Sequence, residues 1–208
     1  MWERNNVEGK GDAPPYEGFS GPLLVCGASR SLWDDLERFW AWGVDCDVAA
    51  INYTIIFYPR RKDGKWPLQH AICADPDWVE KHLEHRERRH RLHRDVITHS
   101  AKEPARCIWQ LSNLRNMAFS ASFASAIGLA MGYDKIILAG CSQAGDGHFY
   151  DPPWTREQKD MKCYLFQWSD NMQMFRDKVK SMSGVTRDIL GEPTEEWLKE
   201  GVGVGVNN

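Results

Sequence analysis

The chain has 208 residues, with 26 basic and 29 acidic side chains and a net charge of −3. A chain of this length buries roughly 70% of its unfolded surface, so it needs neither a disulfide nor a metal to fold. The nearly neutral charge gives no general reason to expect nucleic acid as a partner.

Membrane and secretory signals are missing from the sequence. No apolar run approaches the roughly 20 residues that a membrane-spanning helix needs, and the N-terminal residues form no apolar signal segment. The six cysteines contain no Cys-x-x-Cys pair and lie mostly in or beside apolar runs. This is the usual position of free, buried thiols in a reducing compartment. We therefore expect a cytoplasmic protein without a membrane span.

Short apolar runs alternate with helical patterns over most of the chain. Residues 1–20 show neither pattern and are predicted to be a flexible arm. Strands are predicted at 23–26, 47–51, 70–74, 95–99, 107–111 and 135–139, and helices from 32, at 77–91 and at 119–131. This alternation predicts a Rossmann-like α/β domain over residues 21–183, with a mainly parallel sheet and helices on both faces.

The clearest helical pattern covers residues 153–183. Thr155 and Gln158 form a capping box at its start. Seven apolar residues then repeat at alternating spacings of 4 and 3: Met161, Leu165, Trp168, Met172, Phe175, Val179 and Met182. Three heptads of this kind predict one long C-terminal helix that packs on its own domain. A homo-oligomer through residues 155–182 is the alternative.

The last residues, 184–208, are predicted to be a C-terminal extension. A short helix is expected between Pro193 and Lys199. The segment 201–208 alternates Gly and Val before two Asn residues. Such low complexity is typical of a disordered tail.

A strand, a tight turn and a helix start follow one another at residues 22–36. Gly27 lets the backbone turn without a Cβ conflict, and Ser29 and Ser31 supply hydroxyl groups. Arg30 adds a positive charge that suits a bidentate phosphate contact. The segment predicts a phosphate site, with an ordinary serine-capped turn as the alternative. It is neither a Gly-x-Gly-x-x-Gly nor a Walker pattern, which disfavours dinucleotide oxidoreductases and P-loop proteins.

Polar residues also follow other predicted elements. Asn52 ends a strand, where it would bind a base or ribose, and Asp75 lies at the same predicted sheet edge. Ser120 and Ser122 near a helix start would hold a second polar group of the ligand. The alternatives are a turn-forming Asn, an Asp-Pro helix start and ordinary helix capping.

The loop after the strand at 135–139 carries a candidate acid–base group. His148 exchanges a proton near neutral pH, and Asp146 or Asp151 would orient it. We take His148 and Asp146 as candidate catalytic residues, with Gly140 and Ser142 as further ligand-binding residues. A histidine in an ordinary surface loop is the alternative.

A basic segment with four histidines covers residues 81–94. The histidines lack Cys or Asp partners at metal-ligand spacing, and the charges suit i,i+4 pairs on a helix. A solvated helix face is favoured over a contact with a polyanion, and no metal site is predicted.

The order of these motifs resembles the bacterial sialyltransferase and motility-accessory (Maf-type) glycosyltransferase family, with archaeal pterin pyrophosphokinases as more distant members of the fold group. The family's first strand is followed by Cys/Gly-Asn-Gly-Pro-Ser-Leu, and residues 26–32 read Cys-Gly-Ala-Ser-Arg-Ser-Leu. The Asn that ends the family's next strand matches Asn52. The family's Leu-Gly-Tyr motif is similar to residues 131–133, which read Met-Gly-Tyr, and its Ile-x-Leu-x-Gly motif matches residues 136–140.

The resemblance implies a Rossmann-like fold and a nucleotide-sugar donor, with CMP as one candidate nucleotide. It implies sugar transfer without a metal or other cofactor, with a histidine as general base, for which His148 is the nearest match. The sequence departs from the family at Ala28, Ser29 and Arg30, which replace its Asn, Gly and Pro, and at Ser142, where many relatives have Asp. A nucleotide-binding protein without transferase activity and an assembly protein are the alternative functions.

Overall fold

The computed structural model describes residues 8–11, 21–90, 96–110, 119–153 and 162–200. These residues form the strands β1 (Glu8–Gly11), β2 (Leu23–Cys26), β3 (Asp47–Ile51), β4 (His70–Ile72), β5 (Ile97–Ser100), β6 (Cys107–Gln110), β7 (Ile136–Ala139) and β8 (Val179–Ser181). They also form the helices α1 (Leu32–Ala41), α2 (Thr54–Phe57), α3 (Pro76–His90), α4 (Ser120–Met131), α5 (Lys162–Asp170), α6 (Met172–Phe175), α7 (Gly184–Leu190) and α8 (Glu195–Lys199).

All eight strands belong to one sheet, in the order β1-β6-β5-β4-β3-β2-β7-β8. The seven strands β2 to β8 pair in parallel. β1 adds an antiparallel strand against β6, with Glu8 opposite Gln110. The predicted parallel α/β fold is confirmed. The sequence predicts a flexible arm over residues 1–20, but Glu8–Gly11 form a strand that covers the open edge of β6. The rest of the predicted arm lies outside the described residues.

Both faces of the sheet are covered by helices. Along β2 the side chains alternate, so that Leu23 and Val25 enter one core cluster and Leu24 and Cys26 enter the other. Residues of α4 to α7 complete the first cluster, and residues of α1, α2, α3 and α8 complete the second. Because strands buried on both faces need apolar residues at every position, the short apolar runs in the sequence identify them.

Helix α4 lies unusually close to the sheet. All of its residues are buried, and a Cβ at Gly128 would lie 2.8 Å from atoms of both Ile136 and Leu23. Gly132, at φ 101°, ends the helix in a left-handed conformation. The small side chains of this segment therefore allow the helix to pack close to the sheet.

The prediction of a single long helix at 153–183 is wrong over the described residues 162–183. Helix α5 ends at Asp170, α6 covers one turn, and the chain then enters strand β8. The Nδ2 of Asn171 donates to the Gln167 carbonyl, 2.8 Å away, at the end of α5, and Asp177 takes a positive φ of 63°. The capping box at Thr155 lies outside the described residues.

Four residues of that apolar pattern are buried in the chain's own core. Trp168, Phe175, Val179 and Met182 have no exposed surface. Val179 opens β8, which pairs with β7. The heptad spacing arises because a helix, a turn and a strand each bury apolar residues here. An oligomer through residues 155–182 stays a prediction.

The short helix predicted before Lys199 is confirmed as α8. The side chain of Thr194 caps it by accepting a hydrogen bond from the Trp197 N–H, 3.1 Å away. Trp197 is itself buried in the second core cluster. Residues 201–208, the predicted tail, lie outside the described part of the chain.

The described residues contain neither a disulfide nor a helix long and apolar enough to cross a bilayer. Five cysteines are free, as predicted: Cys26, Cys46, Cys73, Cys107 and Cys141. The side chain of Cys163 lies outside the description.

A chain of buried polar side chains crosses the sheet. The Tyr133 hydroxyl donates to Asp47, 2.6 Å away, and lies 3.3 Å from His70 Nε2. Nδ1 of His70 lies 3.0 Å from Nε2 of His99, whose Nδ1 accepts from Trp109. Burial lowers the pKa of His70 to about 4, so both rings are neutral inside the fold at neutral pH.

Candidate functional site

A crevice opens at the carboxyl ends of β2, β3 and β7, where the strand order reverses. The chain runs outward from β2 to β6 on one side and returns to β7 on the other. Such switch points are the usual ligand sites of open parallel sheets. The crevice has a volume of about 530 Å³, including open solvent at its mouth. It is lined by residues 27–29, 51–52, 119–120, 140–141 and 143–148.

Two glycines set the floor of this crevice. A Cβ at Gly27 would lie 2.5 Å from the carbonyl oxygen of Gly140, and a Cβ at Gly140 would lie 2.7 Å from that of Gly27. Gly140 also has a positive φ of 65°. The ends of β2 and β7 can approach each other because both positions lack a side chain.

Gly140→Ala is expected to destabilise the protein by about 3 kcal/mol, since the left-handed backbone and the clash with Gly27 add. The free energy of unfolding in urea measures this loss. Gly64→Ala is the matched control, because Gly64 also has a positive φ of 71° but nothing within 4 Å of its Cβ position. The free energy of unfolding of this control variant should fall by only about 1 kcal/mol. Equal losses in the two variants would contradict the close approach of the strand ends.

The two loops that carry the predicted chemistry lie against each other. Ser29 and His148 form an antiparallel bridge, and the Phe149 N–H donates to the Ala28 carbonyl, 2.9 Å away. The Ser142 N–H donates to Ser29 Oγ at 3.1 Å. The turn at residues 27–29 and the candidate base His148 therefore belong to one site.

His148 is held by Asp151. Both its backbone N–H and its Nδ1 lie within 3.0 Å of Asp151 Oδ2. The backbone hydrogen bond from His148, aided by the ring, holds the pKa of the Asp151 carboxyl below its usual value. Because an ionised carboxylate only accepts, Nδ1 carries the hydrogen of the neutral ring, and the lone pair is on Nε2.

Asp146, predicted to be the catalytic partner of His148, has a different contact. Its Oδ1 lies 3.4 Å from Ser142 Oγ. The turn over residues 148–151 brings Asp151 back onto the ring instead. Asp146 still lines the crevice. The aspartate that orients His148 is therefore Asp151.

Arg30 and Ser31, predicted to bind phosphate, lie outside the crevice lining. The Arg30 guanidinium donates to the carbonyls of Asp146, at 2.6 Å, and Pro152, at 2.5 Å. Ser31 Oγ donates to Asp35 at 3.1 Å. These side chains fasten the loops around the crevice to each other.

Asp35 is a buried carboxylate that sequence analysis did not single out. Its Oδ2 accepts from the Gly140 N–H at 2.8 Å and from Ser183 Oγ at 2.7 Å. Burial raises its pKa, while these hydrogen bonds act in the opposite direction. Asp34 and Asp35 occupy the first turn of α1, so this helix start already has negative charge. It is a poor site for a phosphate.

Asn52 and Ser120 are both in the crevice and contact each other. Ser120 Oγ and Cys73 Sγ both donate to Asn52 Oδ1, at 3.1 and 3.2 Å. Asn52 takes a positive φ of 51° at the end of β3, so it is also the turn residue that the alternative predicted. Its Nδ2 has no hydrogen-bond acceptor among the described residues and offers two donors to a ligand.

The helix start that faces the crevice is that of α4. Phe119 and Ser120 line the crevice. The Phe119 side chain makes no capping hydrogen bond, and the first turn contains no acidic residue. The Phe119 N–H itself donates to Gln167 Oε1, 3.0 Å away. The N–H groups of the first turn and the positive end of the helix dipole make this start suitable for an anion.

Three other predicted ligand-binding residues have structural contacts and do not line the crevice. Asp75 Oδ1 accepts from the Asp77 N–H at the start of α3. Ser122 is fully buried and donates to Gln167 Oε1, 2.9 Å away. The Ser142 N–H donates to Ser29 Oγ, and Ser142 Oγ accepts from the Ala144 N–H.

Gln143 is a crevice residue that sequence analysis missed. Its side chain is 5% exposed, and its Oε1 accepts from Trp168 Nε1 at 2.9 Å. Its Nε2 is buried and has no hydrogen-bond partner among the described residues. An unpaired buried donor costs about 1–3 kcal/mol. A ligand with an acceptor group at this point would recover that energy.

No family model, curated protein or solved structure matches this chain. Among the described residues, no group of three or more His, Cys, Asp or Glu side chains is arranged to hold a metal ion. The assignment of function therefore depends on the geometry of the crevice.

Proposed function

We propose that the protein is a glycosyltransferase that binds the nucleotide of a nucleotide-sugar donor in the switch-point crevice. One observation carries the proposal: Gln143, whose buried Nε2 has no hydrogen-bond partner among the described residues, lines the same crevice as the start of α4 and His148. The crevice thus combines donors for an anionic ligand with a histidine held by a carboxylate. The sequence resemblance supplies the reaction class.

The donor phosphates are assigned to the start of α4. The N–H groups of its first turn and Gln143 Nε2 would bind phosphate oxygens without a cationic side chain. Asn52 Nδ2 would bind the base or ribose from the end of β3. The proposed phosphate site is therefore the start of α4 and not the turn at Arg30.

His148 is assigned as the general base, acting without a metal. Its Nε2 takes the proton of an acceptor hydroxyl while that oxygen forms a bond to the anomeric carbon of the sugar. The bond from this carbon to the phosphate oxygen breaks, and the nucleotide leaves with the electron pair. Asp151 stabilises the imidazolium that forms. The α4 start stabilises the charge on the departing phosphate.

A nucleotide-binding protein without turnover is the second candidate. The described residues that line the crevice include no Lys or Arg, and the nearby Arg30 donates to backbone carbonyls. Among the described residues, the crevice lining therefore offers a leaving phosphate no cationic side chain. Tight nucleotide binding with no transfer from any activated sugar would favour this candidate.

Nucleotide binding is the first test. The melting temperature is measured with CMP, UMP, GMP, AMP and their sugar conjugates, with and without Mg²⁺. One nucleotide at 100 times its Kd should add about 2.7 kcal/mol of stability. Gln143→Glu keeps an acceptor for Trp168 but replaces the unpaired donor by a carboxylate oxygen. We expect it to weaken binding at least about tenfold.

Gln173→Glu is the matched control for this test. Gln173 is exposed on α6 and outside the crevice lining, so the same charge change should leave the affinity unchanged. A flat response to every nucleotide would contradict the proposed function. Equal losses in both variants would contradict the role of Gln143.

A further inference from the structure

A second depression adjoins the crevice and is not used by the proposed donor site. It is open, with a volume of about 620 Å³ including open solvent. Its lining is formed by Tyr53, Ile56, Phe57, His85, Arg89 and Tyr150. The lining is mostly aromatic and aliphatic, with two basic side chains at one side.

Tyr150 connects this depression with the candidate base. Its ring stacks on His148, with 4.9 Å between centroids and 5° between planes. Tyr53 lies 5.1 Å from Tyr150, centroid to centroid. These two tyrosines are 43% and 39% exposed. Adjacent exposed rings of this kind form a surface on which a flat or ring-shaped ligand can stack.

The basic side chains of the depression are available to an anion. The Arg89 guanidinium lies over the Phe57 ring, 4.8 Å from its centroid. Both Arg89 and His85 are exposed. Neither makes a hydrogen bond within the described part of the chain. An arginine stacked on an aromatic ring still presents the edge of its guanidinium to a carboxylate or phosphate.

The charges of α3 favour one anionic group over a polyanion. Glu84 and Glu87 lie on the same helix as Arg89, and Arg88 pairs with Glu84 at 3.8 Å. A nucleic-acid backbone along this helix would meet these carboxylates, whereas a single carboxylate or phosphate at Arg89 would not. A sugar ring with one such group also stacks its C–H face on tyrosine.

We propose that this depression is the acceptor subsite and binds a saccharide that carries a carboxylate or phosphate group. The sugar ring lies on Tyr53 and Tyr150, and its anionic group pairs with Arg89. The contact between Tyr150 and His148 places a hydroxyl of this sugar beside the base. The assignment as an acceptor rests on the proposed function, whereas binding of the saccharide does not.

Glucuronate, glucose 6-phosphate, glucose and an oligothymidine are the probes, with binding measured by NMR titration of the full chain. We expect at least one of the two anionic sugars to bind more tightly than glucose. Arg89→Gln should weaken that binding at least about tenfold, because a charge-assisted hydrogen bond is lost. Comparing glucuronate with glucose 6-phosphate shows whether carboxylate or phosphate is the preferred group.

Arg88→Gln is the matched control, since Arg88 is also exposed on α3 but does not line the depression. It should leave sugar affinity unchanged. A second pair tests the stacking: Tyr150→Leu should weaken binding severalfold, whereas Tyr150→Phe keeps the ring and the affinity. The proposal is overturned if neither anionic sugar binds, if both arginine variants lose affinity equally, or if only an oligothymidine binds through Arg89.

Failure of this subsite can be told apart from failure of the donor site. Arg89 does not line the crevice, so Arg89→Gln should leave nucleotide-induced stabilisation unchanged. Sugar binding through Arg89 without any nucleotide binding would remove the proposed function and keep the saccharide site. Nucleotide binding without sugar binding would keep the proposed function and remove the saccharide site.

Discussion

Replacement of His148 by alanine is expected to lower kcat about 10³-fold and to leave the nucleotide Kd unchanged. The imidazole acts on the acceptor hydroxyl, so its removal takes away a proton acceptor in the transition state. The donors assigned to the nucleotide belong to α4, Gln143 and Asn52, which His148→Ala does not alter. Turnover of the activated sugar identified by thermal shift, together with calorimetric Kd values, measures both quantities.

Two aspartate variants distinguish the partner of this histidine. Asp151→Asn should lower kcat about a hundredfold, because the ring loses the carboxylate that holds it and stabilises its charge. Asp146→Asn should lower kcat less, since Asp146 contacts Ser142 and not the His148 ring. Full activity of His148→Ala would remove His148 from the mechanism. Equal losses in turnover and nucleotide affinity would make it a binding residue.

The free energy of unfolding is expected to fall by at least about 2 kcal/mol between pH 7 and pH 5. An unfolded histidine binds a proton near pH 6.5, whereas burial lowers the pKa of His70 to about 4 in the fold. Between these values the unfolded chain binds more protons. Stability is therefore retained above about pH 6.5 and lost as the pH falls towards 4. His99, buried beside His70, acts in the same direction.

Urea denaturation at the two pH values measures this loss. His70→Gln removes one buried titrating ring, so its stability should fall about 2 kcal/mol less over the same interval, whatever its stability at pH 7. His85→Gln changes an exposed histidine and should keep the wild-type pH dependence. An unchanged pH dependence in His70→Gln would show that His70 does not control acid stability.

Most core strands could be predicted because each is a local apolar run. The predicted bounds of β2 and β3 agree with the structure, and those of β7 differ by one residue. Strand β8 could not be found in this way. Its first residue, Val179, and Met182, which follows the strand, continue a heptad pattern, and only the pairing of β8 with β7 distinguishes this segment from a helix. Strand β1 lacks an apolar signal, since its pairing with β6 is made by the backbone.

The sequence by itself determined where the crevice and the candidate site lie. Gly27, Asn52, Gly140 and His148 follow strands, and parallel strands bring their carboxyl ends to one edge. Only the tertiary structure decided what each side chain does there: Asp151 and not Asp146 holds His148, Arg30 is used by backbone carbonyls, and Gln143 keeps an unpaired donor. The positions of most strands along the chain follow from local patterns, whereas the partner of a polar side chain depends on ångström-scale distances within and between loops. The Gly27 and His148 loops are more than 100 residues apart, and local sequence does not encode those distances.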